Sequence, residues 1–303
     1  MRTTVSTTTL LWLIVASTPA LAQESEAIEP EPASSSRWSS SFELDATSAL
    51  RAQLDTVGHV QASRTGATWN LLGQLDQQHL LNLSTRYEAS LYDISGATGL
   101  SPDGDVIDSG HQLSLTAMYT TIVDSQWSWI LGGVVSLGFE DGADTGDALT
   151  GGGFLIARQQ YSKSFSWMAG LGVISRLEDD ALIFPYLGID WAINETTRLH
   201  SEGTSVRLDS RLRDDLTVYS AIGWTSREFR LDDSNSVAGG VFQEDIWSWS
   251  LGVETLVDKW TLRVEGGLTL SHRIEIFNSG GASTGIADAD PTGYVGLSLR
   301  RPF

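Results

Sequence analysis

The sequence has no cysteine, few basic residues and no long apolar run beyond its first residues. Disulfides are therefore excluded as a source of stability. Only 19 basic residues stand against 38 acidic ones, which argues against nucleic-acid binding because that function requires a basic surface. No segment after the N-terminus approaches the roughly 18 consecutive apolar residues of a membrane-spanning helix, so no such helix is predicted.

The N-terminus has the features of a secretory signal peptide. Arg2 supplies a positive charge, "LLWLIVAS" over residues 10–17 is a short apolar stretch, and Ala20-Leu21-Ala22 is a small-residue cleavage site. The apolar stretch is too short to span a membrane. We predict a signal peptide over residues 1–22 and a flexible, acidic, Pro/Ser-rich lead-in over residues 23–37, whose composition cannot bury apolar surface.

The rest of the sequence alternates with a period of two residues. In "WSWILGGVVSLGFE" (residues 127–140) the odd positions are mostly large and apolar, whereas the even positions are mostly small or polar. A strand sends successive side chains to opposite faces, so this segment has one apolar face and one small, polar face with room for facing side chains such as arginines. The same pattern recurs at residues 81–91, 111–121, 165–175, 247–257 and 260–277.

The connections between these segments alternate between short polar turns and longer loops. The longer loops are expected at residues 95–110, 141–151, 232–240 and 278–288, and a tight bend is expected near Thr65. Counting with this parity predicts about 14 strands, near residues 55–63, 67–75, 80–95, 111–123, 127–139, 152–162, 165–176, 181–193, 198–202, 204–213, 216–230, 241–257, 260–277 and 289–303. Two of them are short, so 12 full strands and a minor hairpin remain an alternative. Tight turns on one side and longer loops on the other are typical of outer-membrane barrels.

A membrane barrel explains the pattern better than a soluble sandwich. The apolar faces carry almost no charge, and a lipid-facing Arg or Lys at the membrane midplane costs about 2–4 kcal/mol. Aromatic residues concentrate near strand ends, as in an interfacial girdle. We expect these residues at the lipid interface: Trp127, Trp129, Tyr161, Trp167, Trp191, Trp260 and Phe303. We therefore predict an all-β protein, an antiparallel transmembrane up-and-down β-barrel over residues 38–303.

Two stretches carry a resemblance to known proteins. The chain ends in "GYVGLSLRRPF", where Val295, Leu297, Leu299 and Phe303 alternate and Arg301 stands at a position that is usually apolar. This ending resembles the C-terminal signal of bacterial outer-membrane β-barrel proteins, which implies an outer-membrane location, membrane lipids as partners and recognition of Phe303 by the barrel assembly machinery. Residues 185–231 are similar in layout to a family of predicted outer-membrane barrels of unknown function, which implies no activity.

The opposite faces of the strands carry mixed charges that should line the lumen. By parity they are Arg86, Glu88, Arg158, Asp190, Arg207, Asp209, Arg211, Arg227, Glu254, Arg263, Glu265, Arg273 and Glu275. Basic and acidic groups are nearly balanced there, so the acidic excess lies in the loops, for example at Asp103, Asp105 and Asp232. The wall is either a selective pore lining or an ion-pair lattice that closes the barrel.

No catalytic or cofactor motif emerges. The pairs His200-Ser201 and Ser271-His272 are adjacent, so each pair points to opposite faces of a strand. The histidines do not cluster as metal ligands, and the acidic loops lack the calcium-loop pattern. We predict no enzyme activity, no metal and no cofactor. The leading hypothesis is a passive pore for small solutes. The alternatives are a non-transporting barrel with a structural or surface-interaction role and a lumen closed by ion pairs and, less favoured, a barrel lipid hydrolase.

Overall fold

The computed structural model describes residues 38–101, 104 and 106–303. The predicted signal peptide and lead-in lie outside the described residues, as do Asp103 and Asp105. The described chain is almost entirely β-strand, with one 3₁₀ turn at Thr145–Asp147. The strands are β1 (Trp38–Ala49), β2 (Ala52–Gln53), β3 (His59–Gln74), β4 (His79–Ser95), β5 (Ser109–Ile122), β6 (Trp127–Glu140), β7 (Leu149–Ser162), β8 (Phe165–Ile174), β9 (Leu182–Ala192), β10 (Thr197–Glu202), β11 (Ser205–Arg213), β12 (Leu216–Arg230), β13 (Val241–Val257), β14 (Trp260–Phe277), β15 (Ser283–Ala289) and β16 (Thr292–Pro302).

The sheet closes on itself as an antiparallel barrel. Neighbouring strands pair in sequence order, and β1 joins the two ends of the sheet by pairing with both β16 and β3. The two-residue β2 and the short β15 pair at the outer ends of β3 and β14 and lie outside the main ring. The main ring has 14 strands, which confirms the predicted fold class; the short β10 and β11 are full members of it.

The first two predicted strands differ from the structure. The segments predicted at 55–63 and 67–75 form the single strand β3, and β1 was not predicted as a strand. No bend forms near Thr65: β3 pairs continuously with β1 and β4 through this region, and Gly66 lies inside the strand. A Cβ there would lie 2.6 Å from an Arg86 nitrogen and 2.7 Å from the Asp45 carboxylate, so the glycine makes room for that ion pair. One strand split and one missed leave the predicted total unchanged.

The large apolar side chains of the ring strands point mostly outward. Alternate residues of β6, such as Leu131 and Val135, are exposed, and the same holds for Leu155 in β7 and Leu171 in β8. This is the uncharged outer face that the alternation predicted. No helix among the described residues is long and apolar enough to cross a membrane.

A β-bulge in β14 reverses its alternation near the outer end, the end with the longer loops. Trp247 pairs with Ser271 but Ser248 pairs with Thr269, so Leu270 is an extra residue. Beyond it His272, Ile274 and Ile276 are buried in the lumen. The prediction that Arg273 and Glu275 line the lumen is therefore wrong: both follow the opposite parity, and they pair with each other at 3.5 Å with the Arg273 side chain 47% exposed. A bulge re-aims every following side chain.

The strands extend outward to different extents, and the longest ones close in over the outer half of the lumen. The hairpin of β10 and β11 turns at Gly203, whereas β12, β13 and β14 continue much further outward. The end of β12 leans across the lumen, where Arg230 forms a parallel bridge with Phe139 of β6. The segment predicted as the loop 278–288 contributes β15, which pairs with the outer part of β14.

Candidate functional site in the barrel lumen

The outer half of the lumen is filled by an apolar core. Its largest side chains include Tyr92, Phe229 and Phe242, whose rings lie 5.1–6.2 Å apart between centroids. The loop between β4 and β5 also folds inward and buries hydrophobic side chains in this core. The core consists of Ala52, Leu54, Val60, Ala62, Tyr92, Ile94, Ala97, Leu100, Val106, Ile107, Phe229, Leu231, Phe242, Ile274, Ile276, Ala287 and Ala289.

Beside the apolar core lies a buried ion-pair cluster centred on Glu244, whose side chain is 0% exposed. Its carboxylate accepts hydrogen bonds from Arg64 at 2.7 and 2.9 Å, from Tyr92 at 2.7 Å and from Arg227 at 3.5 Å, and it lies 3.1 Å from His272 Nε2. Arg64 and Glu244 belong to β3 and β13, so these contacts join distant parts of the wall across the lumen.

The cluster continues along the wall toward β1. Arg227 donates to Glu88 at 2.5 Å, Arg86 donates to Glu88 at 2.8 Å, and Arg86 also donates to Asp45 at 2.6 Å. Each of the three carboxylates of this cluster, on Asp45, Glu88 and Glu244, accepts hydrogen bonds from at least one arginine, as the burial of charge in a low-dielectric environment requires. We call the apolar core and this ion-pair cluster together the plug. It closes the outer half of the lumen.

The inner half of the lumen, toward the two ends of the barrel chain, contains a chamber of about 380 Å³. It reaches the inner mouth, where Arg300 and Pro302 line it. One wall is apolar and comes from β5 to β9: Met118, Ile130, Ile156, Met168 and Tyr186. The opposite wall is charged and comes largely from β10, β11, β13 and β14: Arg198, His200, Glu202, Arg207, Asp209, Glu254 and Arg263.

The charged wall of the chamber is organised around Arg207. Its guanidinium lies 2.6 Å from Asp209, 3.3 Å from Glu202 and 3.2 Å from Glu254, and it stacks 3.9 Å over the centre of the Tyr219 ring. Arg263 shares Glu254 at 3.1 Å and Glu202 at 3.5 Å. The Arg207 side chain is 5% exposed, but Arg263 and Glu254 are each 28% exposed, so the wall is partly hydrated.

The structure divides the predicted lumen residues among several places. Arg86, Glu88 and Arg227 belong to the plug, and Glu265 accepts a hydrogen bond from Tyr219 at 2.7 Å. Arg211 lies near the inner end, where it donates to the carbonyl of Glu195 at 3.0 Å. The members that line the chamber are Arg158, Asp190, Arg207, Asp209, Glu254 and Arg263. Arg273 and Glu275 lie outside the lumen, as described above.

Sequence reasoning missed several charged lumen residues. Glu244 has the same parity as Glu254 in one uninterrupted strand, so alternation alone could have found it. Arg64 fell on the bend that was wrongly expected near Thr65. Arg198, Glu202 and Asp45 were missed because their strands are short or were not predicted. Which residue each of these side chains pairs with depends on the register between strands, and the local sequence does not indicate it.

The predicted interfacial aromatics lie at the inner end of the barrel. Trp127 packs edge-on against Trp167 at 6.2 Å, and Phe165 packs between Tyr161 and Trp191 at 6.3 Å from each. Trp129 is exposed on the outer face. Arg301, at a position that is usually apolar, places its guanidinium 5.4 Å from the Trp260 ring and 5.2 Å from the Phe303 ring, so its charge is held by aromatic faces.

The acidic residues of the outer loops form local hydrogen bonds. Glu140 accepts the N–H of Asp232 at 2.8 Å, and Arg230 pairs with Glu178. The hydroxyl and N–H of Ser234 donate to Asp232 and hold the pKa of its carboxyl below the usual value. Within the described part of the chain, no group of three or more His, Cys, Asp or Glu residues is arranged to hold a metal ion.

Comparison with known proteins finds likeness only among solved structures; no family model and no curated protein matches the chain. An outer-membrane channel from Pseudomonas putida F1 is 12% identical, with a TM-score of 0.47 over 91% of this chain and 100% of that one. The P. putida toluene transporter TodX is 9% identical, with a TM-score of 0.40 over 88% and 90% of the two chains. The KdgM porin is 11% identical, with a TM-score of 0.35 over 86% and 99%.

These neighbours are an outer-membrane channel, a transporter and a porin. At such identities and TM-scores the likeness carries no argument about this chain. The function must follow from the plug, the chamber and the outer face of this chain.

Proposed function

We propose that the chain is a bacterial outer-membrane β-barrel that serves as a channel for small solutes and is closed at its outer end at rest. The observation that carries this proposal is the division of the lumen into a plugged outer half and a chamber of about 380 Å³ at the inner mouth. A chamber of that size accommodates a small molecule. Its mixed walls offer both apolar contact and charge.

The outer face supports the membrane location. Exposed Leu, Ile and Val side chains follow the outward positions of the strands, and aromatic rings stand at the inner end. Lipid would cover this face, and we propose that the exposed ring of Phe303 is what the barrel assembly machinery engages. These features match the apolar band and aromatic girdle of outer-membrane barrels.

The alternative of a non-transporting barrel is favoured by one observation, the continuous ion-pair cluster of the plug. Its members connect β3, β4, β12 and β13 across the outer half of the lumen. A purely structural lumen, however, would be filled along its whole length, and the chamber is not. A barrel lipid hydrolase has less support: the Ser201 hydroxyl accepts the N–H of Ile189 at 3.1 Å, and His200 Nδ1 lies 3.6 Å from Asp209 instead of facing a serine.

The plug can be tested without changing the barrel wall. Val106 and Ile107 belong to the loop between β4 and β5 and are each 1% exposed inside the core. The double change Val106→Ser and Ile107→Ser should release this loop from the lumen, because buried hydroxyls without partners are unfavourable. In planar bilayers we expect few or no openings of the wild-type protein and frequent stepwise conductance of the double variant.

The matched control is Leu50→Ser, an exposed residue directly after β1 that is absent from the core. It should conduct like the wild type. If the double variant refolds, shown by heat-dependent gel mobility, and yet neither conducts nor passes small solutes in vesicle swelling, the barrel is a non-transporting one.

A further inference from the structure

The barrel wall has a gap in its backbone ladder between β9 and β12. Along its full length β9 pairs with β8, but it pairs with β10 only over residues 190–192. On the other side, residues 225–230 of β12 pair with β13 and have no partner on β11. Among residues 38–101, 104 and 106–303, no strand pairs in the space between the outer halves of β9 and β12.

The sequence of β9 is adapted to this missing neighbour. Successive residues of an antiparallel strand direct their N–H groups to alternate neighbours. Ala192 donates to Ser164 on the β8 side, whereas Ile189 donates to Ser201 on the β10 side. Position 185 therefore directs its backbone nitrogen toward the gap, and it is occupied by proline, which has no N–H to satisfy. At two positions of β9 no backbone partner is therefore needed: the Ser201 side chain accepts the N–H of Ile189, and Pro185 has no N–H.

The gap has a defined floor and ceiling. The floor is the turn of the β10–β11 hairpin, where Trp224 donates its N–H to the carbonyl of Thr204 at 3.0 Å. The ceiling is a clasp between the segment after β8 and the outer part of β12. There Arg176 donates to Glu228 at 2.6 Å, and the N–H of Leu177 donates to the same carboxylate at 3.0 Å. Side-chain contacts, not backbone ladders, hold this edge.

The gap lies between the chamber and the membrane. Ile189 and Ser201, at its lower corner, also line the chamber, and the neighbouring chamber wall is the apolar one with Met168 and Tyr186. On the outside, Ile183 is 73% exposed. It lies about 26 Å along β9 from the interfacial Trp191, at about 3.3 Å per residue, and the tilt of barrel strands brings it within a hydrocarbon band about 25 Å tall.

We propose that this gap is a side portal through which small apolar or amphipathic molecules pass between the chamber and the surrounding hydrocarbon. The inference rests on the proposed channel function and names its class of solute. A path through the gap avoids the plug, so the outer half stays closed while the solute moves. The apolar wall of the chamber suits the body of such a molecule, and the charged wall suits a polar end.

The absence of cysteine in the chain allows a clean labelling test in proteoliposomes. The Met168→Cys protein carries a thiol on the apolar wall, opposite Gly188 of β9 in the register. The Ser298→Cys protein carries one on the other side of the chamber, behind the continuous ladder of β14, β16 and β1. Each is treated with a lipid-anchored maleimide confined to the bilayer and, separately, with a charged water-soluble thiol reagent.

We expect the lipid-anchored reagent to modify the M168C protein several-fold faster than the S298C protein. Adding Arg176→Ala opens the clasp and should raise only the M168C rate by a further several-fold. Arg213→Ala is the control, since it breaks an exposed pair with Asp215 near the inner end and should change neither rate.

Equal rates for the two thiols with the lipid-anchored reagent, unaffected by Arg176→Ala, would overturn the portal. The water-soluble reagent separates that failure from failure of the channel. If it modifies both thiols from the inner mouth, the chamber is accessible and only the portal is wrong. If it modifies neither in correctly folded protein, the chamber is closed at both ends, and the proposed channel falls together with the portal.

Discussion

The two halves of one barrel treat the same kinds of side chain differently. In the outer half Glu244 is completely buried and bonded to two arginines, a tyrosine and a histidine, next to a dry core of aromatic and aliphatic groups. In the inner half Arg263 and Glu254 form a similar pair at 3.1 Å but remain partly exposed beside an open chamber. Charge in a lumen therefore does not indicate whether the lumen is open. The apolar groups packed around the charge decide it.

The largest effect should come from removing the centre of the plug. Glu244→Ala leaves Arg64 and Arg227 buried without their shared carboxylate. Loss of one partner of a buried ion pair costs about 3–5 kcal/mol. We expect the free energy of unfolding, measured by urea titration of the lipid-embedded protein, to fall by about that amount.

The matched change in the inner half is Glu254→Ala. Its partners Arg207 and Arg263 retain Glu202, and the pair is hydrated, so we expect a loss of about 1 kcal/mol or less. Equal losses for the two variants would break the distinction between a dry outer half and a hydrated inner half.

A smaller effect should follow from filling space in the apolar wall of the inner half. A Cβ added at Gly132, which points inward, would overlap the ring of Phe154. Gly132→Ala forces that ring to move, and overpacking typically costs about 1–3 kcal/mol. Gly133→Ala, on the outer face with its nearest atom at 3.3 Å, should cost less in the same urea titration. If both cost the same, the wall near the chamber is not packed against Phe154.

The smallest effect should come from Arg273→Gln. The side chain lies outside the lumen and half exposed, so we expect a stability change within about 0.5 kcal/mol and unchanged conductance of the plug-released protein. Arg227→Gln, a change inside the plug, serves as the contrasting variant. A clear change in ion selectivity with Arg273→Gln would show that the bulge in β14 does not turn this residue outward.

Much of the fold could be predicted from local sequence because a strand assigns each side chain to one of two faces. Twelve of the predicted strands correspond to ring strands of the structure, and β12, β13 and β14 match their predicted bounds. The errors have local causes. A bend was expected near Thr65, where the neighbouring Gly66 makes room for an ion pair inside a continuous strand. Leu270 inserts a bulge that shifts the face of every residue after it.

The lumen was harder to predict. The alternation of residues along a strand shows which face a side chain is on, but not its position along the barrel axis or the residue it contacts. The ring of Phe154, not an arginine, occupies the space beside Gly132. The pair of Arg64 and Glu244 joins residues 180 positions apart. Such a contact depends on how two distant strands curve toward each other.

The sequence by itself determined the period of two, the apolar outer face and the chemistry of each face. These follow from the pleat of a strand and the cost of placing charge in lipid. Only the tertiary structure decided that the outer half is plugged, that the inner half holds a chamber and that β9 has a free outer edge. Those outcomes depend on how far each strand extends outward and on the contact between the outer end of β12 and β6. Both arise only when the sheet closes, and no single segment of the sequence encodes them.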